Sequence, residues 1–252
     1  MDTRYWGPSG WRLLHLISFG SEPTPQVCEF MNTLPYVLPC KYCRKSLSEY
    51  MKDDPVECNK KNLPKWLWRI HNDVNSKLRK QRIHVEADPS FEIVETTYLE
   101  LLAVGCTRTS FDGWEFLFSI AEAHPLGRAG KQSIPIPGHP EEITDPLERN
   151  RWNVMEPEER LPFYNRFFEL LPEVLPFPEW KESWKTAVKE TPSCRADCLK
   201  QLWAIRRNME ESLELINRTS YQSLCRELRD NRSGCAASSR TRTCRKKRKS
   251  QG

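Results

Sequence analysis

"LPYVLPCKYCRKSLSEYM", residues 34–51, sets two cysteines three positions apart directly behind Pro39, in a stretch that reads as helix on both sides. Proline just ahead of a helical pattern marks an N-terminus, so Cys40 is predicted in the first turn and Cys43 one turn deeper on the same side. Unpaired backbone N–H groups and the helix dipole favour a thiolate there, and Lys41, Arg44 and Lys45 add positive potential. The arrangement suits an exposed attacking sulfur at Cys40 and a sheltered partner at Cys43. A thioredoxin-like exchanger also uses Cys-x-x-Cys, but it needs a strand–helix context that these flanks do not provide.

Working outward, the neighbouring patterns are helical too. "GWRLLHLISFG" (10–20) sets Trp11, Leu14, His15 and Ser18 on one face, and Pro23 and Pro25 close it. Residues 26–38 and 40–53 read as two helices meeting at Pro39. In "LPKWLWRIHNDVNSKL" (63–78) the apolar stripe runs through Leu67, Ile70, Val74 and Leu78, and "ADPSFEIVETTYLELLAV" (87–104) supplies one more helix. No stretch alternates like a strand. The class is all-α, a four-helix bundle with a short fifth helix.

Composition narrows the function. The 252 residues carry a formal charge of +5, yet residues 231–252 hold eight Lys or Arg and no acid, leaving 31 basic against 34 acidic residues upstream. Neither a membrane span nor a secretory signal is visible in "MDTRYWGPSGW" or beyond, so a cytoplasmic protein is expected, with no membrane partner. Ten cysteines in such a chain point to redox chemistry, metal binding or buried thiols. Zinc held by Cys28, Cys40, Cys43 and Cys58 is the competing reading, weakened because only one pair has tight ligand spacing.

Polar residues at the edges of apolar stripes are the anomaly. His15 falls one turn after Trp11, and His71 and Asn75 are likewise four apart with Asn72 beside them. Such groups near a core must find partners or cost roughly 1–3 kcal/mol each. They can bond one another, but together with a Cys-x-x-Cys a shared planar polar ligand accounts for all of them.

"WRLLH", "LPCKYC" and "WLWRIHNDVNSKLRK" resemble, in order and spacing, the W-x3-H, P-C-x2-C and H-N-x-V-N-x2-L motifs of Erv/ALR-type FAD-linked sulfhydryl oxidases, and "YWGPSGW" is most similar to the versions of large DNA viruses. The resemblance covers residues 5–100. It implies an FAD-binding helical bundle in which Cys43 faces the flavin and Cys40 the incoming electrons, with Trp11, His15, His71, Asn72, Asn75, Leu78 and Lys80 lining the cofactor and no metal. It also implies a dithiol substrate and O2 as acceptor, giving hydrogen peroxide. A viral source would place the protein in host cytoplasm or virion. Two family features are missing: the places of a structural disulfide hold Trp68 and Val85, and the adenine end has Gly20, with Phe19 adjacent, where an aromatic is usual, and no closing Arg-Trp.

The frame of residues 30–39 recurs without its cysteines. A shift of 137 matches Phe30, Leu34, Pro35, Val37, Leu38 and Pro39 with Phe167, Leu171, Pro172, Val174, Leu175 and Pro176; "GWRLLHLI" matches "GWEFLFSI" (113–120), and "LWRIHNDVNSKL" matches "LWAIRRNMEESL" (202–213). The expectation is a duplication: an oxidase-like domain at 1–104, a degenerate helical copy at 105–230 containing a Pro/Gly-rich loop at 124–146, and a disordered basic tail at 231–252. In the copy, Phe118, Phe177 and Trp180 stand for His15, Cys40 and Cys43, and Arg206, Arg207 and Glu210 for His71, Asn72 and Asn75. Aromatic rings would fill the flavin space, and Arg206 and Glu210 would suit a surface. The two copies would pair within the chain as single-domain relatives pair between chains, leaving homodimerisation of whole chains open. Cys235 and Cys244 in the tail are candidate shuttle cysteines. The tail also resembles a nuclear-localisation or nucleic-acid-binding segment, so the alternatives to the oxidase are a zinc-stabilised binding protein and a flavin-free exchanger.

Overall fold

The computed structural model describes residues 1–126, 134–187 and 192–232, and no strand occurs among them. The candidate shuttle cysteines Cys235 and Cys244 and most of the basic tail lie outside the described residues. Five helices come first: α1 (Thr3–Gly20), α2 (Pro25–Val37), α3 (Lys41–Asp53), α4 (Asn62–Lys80) and α5 (Phe91–Val104). Six follow: α6 (Trp114–Glu122), α7 (Pro146–Arg151), α8 (Pro157–Val174), α9 (Pro178–Ala187), α10 (Arg195–Ser212) and α11 (Tyr221–Asp230). None is long and apolar enough to cross a membrane.

Local chemistry sets the ends. Asp2 accepts from the backbone N–H of Arg4 and starts α1 well before Gly10, where the amphipathic pattern begins. Thr24 and Ser90 cap α2 and α5 in the same way. Pro39 and Pro176 push the residue before them out of the α region. As a result α2 and α8 stop alike: Leu38 (φ −52°, ψ 135°) donates to the Leu34 carbonyl, and Leu175 (φ −56°, ψ 139°) donates to the Leu171 carbonyl.

The packing of the first five helices recurs in the second set. α1 lies on α4 and α2 on α3, as α6 lies on α10 and α8 on α9. Between the sets, α1 packs on α6 and α2 on α8. A Cβ at Gly10 would sit 2.9 Å from the Phe116 ring, and one at Gly113 would sit 2.7 Å from Leu13 Cδ2, so each glycine admits a side chain of the opposite helix. Phe30 stacks on Phe167 with ring centroids 4.9 Å apart, and Arg166 grips Glu29 through two bonds of 2.6 and 2.7 Å. One apolar core runs through both sets.

One sequence expectation needs correction, and the stretch expected as a loop carries an added contact. Arg206 and Glu210 are not on a surface: Glu210 is fully buried, bonded to Arg206 at 2.8 Å and Arg207 at 3.0 Å, and the Arg206 guanidinium lies 5.5 Å from the Trp114 ring centre. The carboxylate enters the core because it takes its counter-charges along, which is the condition for burying an ion. The segment after 124 does more than connect. Its described part has no helix until Asp145 caps α7, which docks on α3.

Candidate functional site

α1 and α4 bring the predicted residues together. Helical spacing aims Trp11 and His15 at α4, and His71 at α1. Trp11 and His71 stack at 4.0 Å between ring centres, and His15 Nε2 lies 3.2 Å from His71 Nδ1. On the far side His15 stacks on Tyr98 of α5 at 4.9 Å, and Phe19 continues the ladder to Tyr98 and Phe91. Asn75 donates to Asp88 at 2.8 Å. Asn72 and Leu78 are half-buried along α4, whereas Lys80 is exposed at its end, outside this cluster.

Burial sets the protonation of the imidazoles. It pulls His15 down to about 3, with His71 adding to the effect, and pulls His71 down to about 4 against the weaker pull of Asp88. Both rings are therefore neutral at physiological pH. Their mutual hydrogen bond leaves His15 Nδ1 buried with no partner among the described residues. Neutral imidazoles, an indole, two amides and an unused buried nitrogen fit a planar heteroaromatic group with hydrogen-bonding edges. A cleft of about 400 Å³ lies beyond Phe19, lined by Lys60, Lys61, Lys65 and Phe91 together with Glu92 and Glu95. Phe19 and Phe91 there supply aromatic surface that the sequence motif lacked at Gly20.

The helix that carries the cysteine pair is tied to α4, since Lys77 donates to the Tyr42 carbonyl at 3.3 Å and also bonds Ser46 of α3. Cys40 is the N-cap of α3 rather than a first-turn residue. The expected order of exposure is reversed: Cys40 is only 5 % exposed, while Cys43 is half-buried. The segment around α7 closes over α3, with Asn150 donating to the Pro35 carbonyl and to Ser48, both at 2.9 Å, and Asn153 meeting Arg44 at 2.7 Å. Of the three cations expected to flank the thiols, only Arg44 is buried, and Lys45 pairs with Glu49.

Cys28 and Cys58 form a disulfide, tying α2 to the loop before α4. That removes two of the four sulfurs a zinc site would need, and no three-residue metal cluster occurs among the described residues. Neither the bridge nor the roles of Asp88, Lys77, Tyr98 and Asn153 were read from the sequence. Only the presence of Cys28 and Cys58 on either side of the Cys-x-x-Cys helix hinted at the bridge.

Among known proteins, the sequence profile described as the Erv1 / Alr family matches residues 8–96, from α1 into α5. The chain is 33% identical over 88 residues to the "Mitochondrial FAD-linked sulfhydryl oxidase ERV1" of Saccharomyces cerevisiae, covering 32% of this chain and 47% of that protein. It is 35% identical over 85 residues to the "Probable FAD-linked sulfhydryl oxidase R368" of Acanthamoeba polyphaga mimivirus, covering 30% and 59%. It is 33% identical over 94 residues to the "Putative FAD-linked sulfhydryl oxidase 347L" of Invertebrate iridescent virus 6, covering 32% and 85%. The chain belongs to the Erv1/Alr family. It spans about half the length of the first two relatives, and no solved structure matches it.

The buried histidines make stability acid-sensitive in a defined window. A histidine whose folded pKa is depressed stabilises the fold above its unfolded value near 6.5, and that contribution is lost as pH falls toward the folded value. His15, His71 and His124, the last also pulled down by burial to about 4, should each contribute about 1.4 kcal/mol of lost stability per pH unit below pH 6. Urea titrations of the full chain between pH 6.5 and 5 should show this slope, and His15→Gln should reduce it by about a third. A flat profile would contradict the neutral, buried imidazole pair.

Proposed function

We propose that this chain is an FAD-linked sulfhydryl oxidase that converts dithiols to disulfides through Cys40 and Cys43. Support comes from the Trp11, His15 and His71 cluster between α1 and α4, and from the bond by which Lys77 of the same α4 holds the first turn of α3, next to Cys43. Trp11, His15, His71, Asn72, Asn75 and Leu78 would hold the flavin, with Lys80 at the exposed rim, and the cleft lined by Lys60, Lys61 and Lys65 would take the nucleotide end. FAD, when bound, supplies a two-electron acceptor that passes electrons to O2 to give hydrogen peroxide. The protein's own steps are exchanges at sulfur. A substrate thiolate attacks the Cys40–Cys43 disulfide at Cys40 and releases Cys43 as thiolate. The second substrate thiol then displaces Cys40, leaving a substrate disulfide and two enzyme thiols. Those thiols give up two electrons and two protons as their disulfide re-forms.

Burial of Cys40 bears on the substrate. A small dithiol can enter the turn, while a folded protein cannot reach a sulfur that is 5 % exposed without a relay. The tail cysteines Cys235 and Cys244 are the candidates for that relay.

The second helical set is read as a degenerate copy paired with the first inside one chain. Support comes from matched positions that make matched contacts. Trp11 stacks on His71, and Trp114 lies against Arg206. Gly10 admits Phe116 as Gly113 admits Leu13, and Phe30 meets Phe167. Phe118, Phe177 and Trp180 are buried among rings, with Phe177 and Trp180 edge-on at 4.7 Å, so aromatic side chains occupy the interior that the first set leaves to polar ones.

Cys43→Ser should abolish oxygen uptake with dithiothreitol, by at least a hundredfold, while bound FAD absorbance is retained, because the sulfur relays electrons and other groups build the pocket. Oxygen-electrode traces unchanged from wild type would refute the oxidase reading. His15→Ala should lower the flavin content of the purified protein. Phe118→Ala, at the matched position, should cost about 3–5 kcal/mol of stability and leave flavin content unchanged. Equal flavin loss from the two variants would argue against a degenerate copy.

A further inference from the structure

Behind the Cys-x-x-Cys turn lies a guanidinium that pairs with no carboxylate among the described residues. Arg44 follows Cys43 directly, is 7 % exposed, and directs its two terminal nitrogens at neutral oxygens: Nη1 donates to the Leu38 carbonyl at 3.0 Å and Nη2 to Asn153 Oδ1 at 2.7 Å. Its Nε is buried without a partner among the described residues. The nearby carboxylates are engaged elsewhere, Glu49 of α3 with Lys45 and Arg151, and Glu148 of α7 with Lys52 and Arg151. Arg160 of α8 adds a second, half-buried cation that repels the first, and its Nε is likewise without a partner among the described residues. A buried cation facing only neutral oxygens is unfavourable unless something negative forms beside it.

The sulfurs are the groups that can become negative. Burial pulls Arg44 down to about 10, and Cys40 first, then Cys43, act in the opposite direction. The interaction is mutual, so a cation that gains from the thiolates also favours them. Asn153 makes the placement specific. It stands just past α7 with φ 55°, a left-handed conformation that asparagine tolerates, and its Nδ2 donates to the Ile134 carbonyl at 2.8 Å. That bond fixes the amide with its oxygen toward Arg44.

We propose that Asn153 and Arg44 are positioning residues through which the stretch between α6 and α8, inside the second helical set, fixes a positive charge behind Cys40 and Cys43 and holds the reduced pair in thiolate form. The inference rests on these cysteines being the reacting pair. Other ionisable groups facing the turn stay silent where a thiol titrates. Burial raises Tyr36 of α2 to about 12 and lifts Tyr164 of α8 well above its ordinary value, and burial lowers His124, which faces Arg160, to about 4. Lys77 of α4 also touches the turn, donating to the Tyr42 carbonyl.

The test is the pH dependence of iodoacetamide alkylation at Cys40 and Cys43 in the reduced full chain, read by peptide mass and normalised to each site's high-pH plateau. Asn153→Asp keeps the side-chain shape and the tolerance of positive φ, and gives Arg44 a carboxylate that cancels its charge. It should move the midpoint up by about one unit, an approximately tenfold slower reaction below the midpoint. Arg44→Gln should do the same, and Arg44→Lys should stay close to wild type. Midpoints unmoved in Asn153→Asp and Arg44→Gln, with native circular dichroism, would overturn the proposal. If the wild type oxidises dithiothreitol while those midpoints stay put, this relay fails and the oxidase reading survives. Shifted midpoints in a chain that oxidises no thiol would have the opposite meaning.

Discussion

The close approach of α1 to α6 is the constraint on which the rest depends. Gly10 and Gly113 carry no Cβ, and in their places Phe116 and Leu13 enter from the opposite helix. A side chain at either glycine would force the helices apart, and with them α2 and α8, whose contact at Phe30 and Phe167 lies on the same interface. Once that face is closed, the outer side of α1 is left for α4 and α5. Trp11, His15 and Ser18 point there, and the site is built on that side.

Two chemistries then occupy comparable settings. Between α1 and α4 are neutral imidazoles, an indole and amides, with a polar nitrogen still unused. Between α6 and α10 the matched positions hold Phe118 and an ion pair, Arg206 with Glu210, sealed by Trp114, Trp180 and Trp184. The first arrangement keeps a buried ring nitrogen that a ligand would complete, whereas the second pairs its own charges, Glu210 with Arg206 and Arg207, and puts aromatic rings at the matched positions. That contrast is the physical basis for assigning the chemistry to one half and a supporting role to the other.

Much of this was legible in sequence because it depends on local rules. The 3.6-residue period put Trp11 and His15 on one stripe and His71 and Asn75 on another, and Pro39 announced the start of α3. What escaped depends on contacts between distant segments. Cys40 reads as exposed from its place at a helix start, yet the fold buries it. Arg44 reads as one of three surface cations, yet its partner Asn153 lies 109 residues away. Glu210 reads as a surface residue because acidic side chains usually are, and only the two arginines within one turn of it make burial tolerable. Lys80 shows the reverse, a motif position that the structure leaves exposed at the end of α4.

The central claim is that one half of the chain works and the other half completes its fold. The most direct measurement is the flavin content of the purified full chain: release the cofactor by denaturation, identify it by chromatography, and compare its visible absorbance with the protein concentration. One FAD per chain is the predicted result. Two per chain would mean that the second helical set is a working copy, and a colourless protein that takes up no added FAD would contradict the account as a whole.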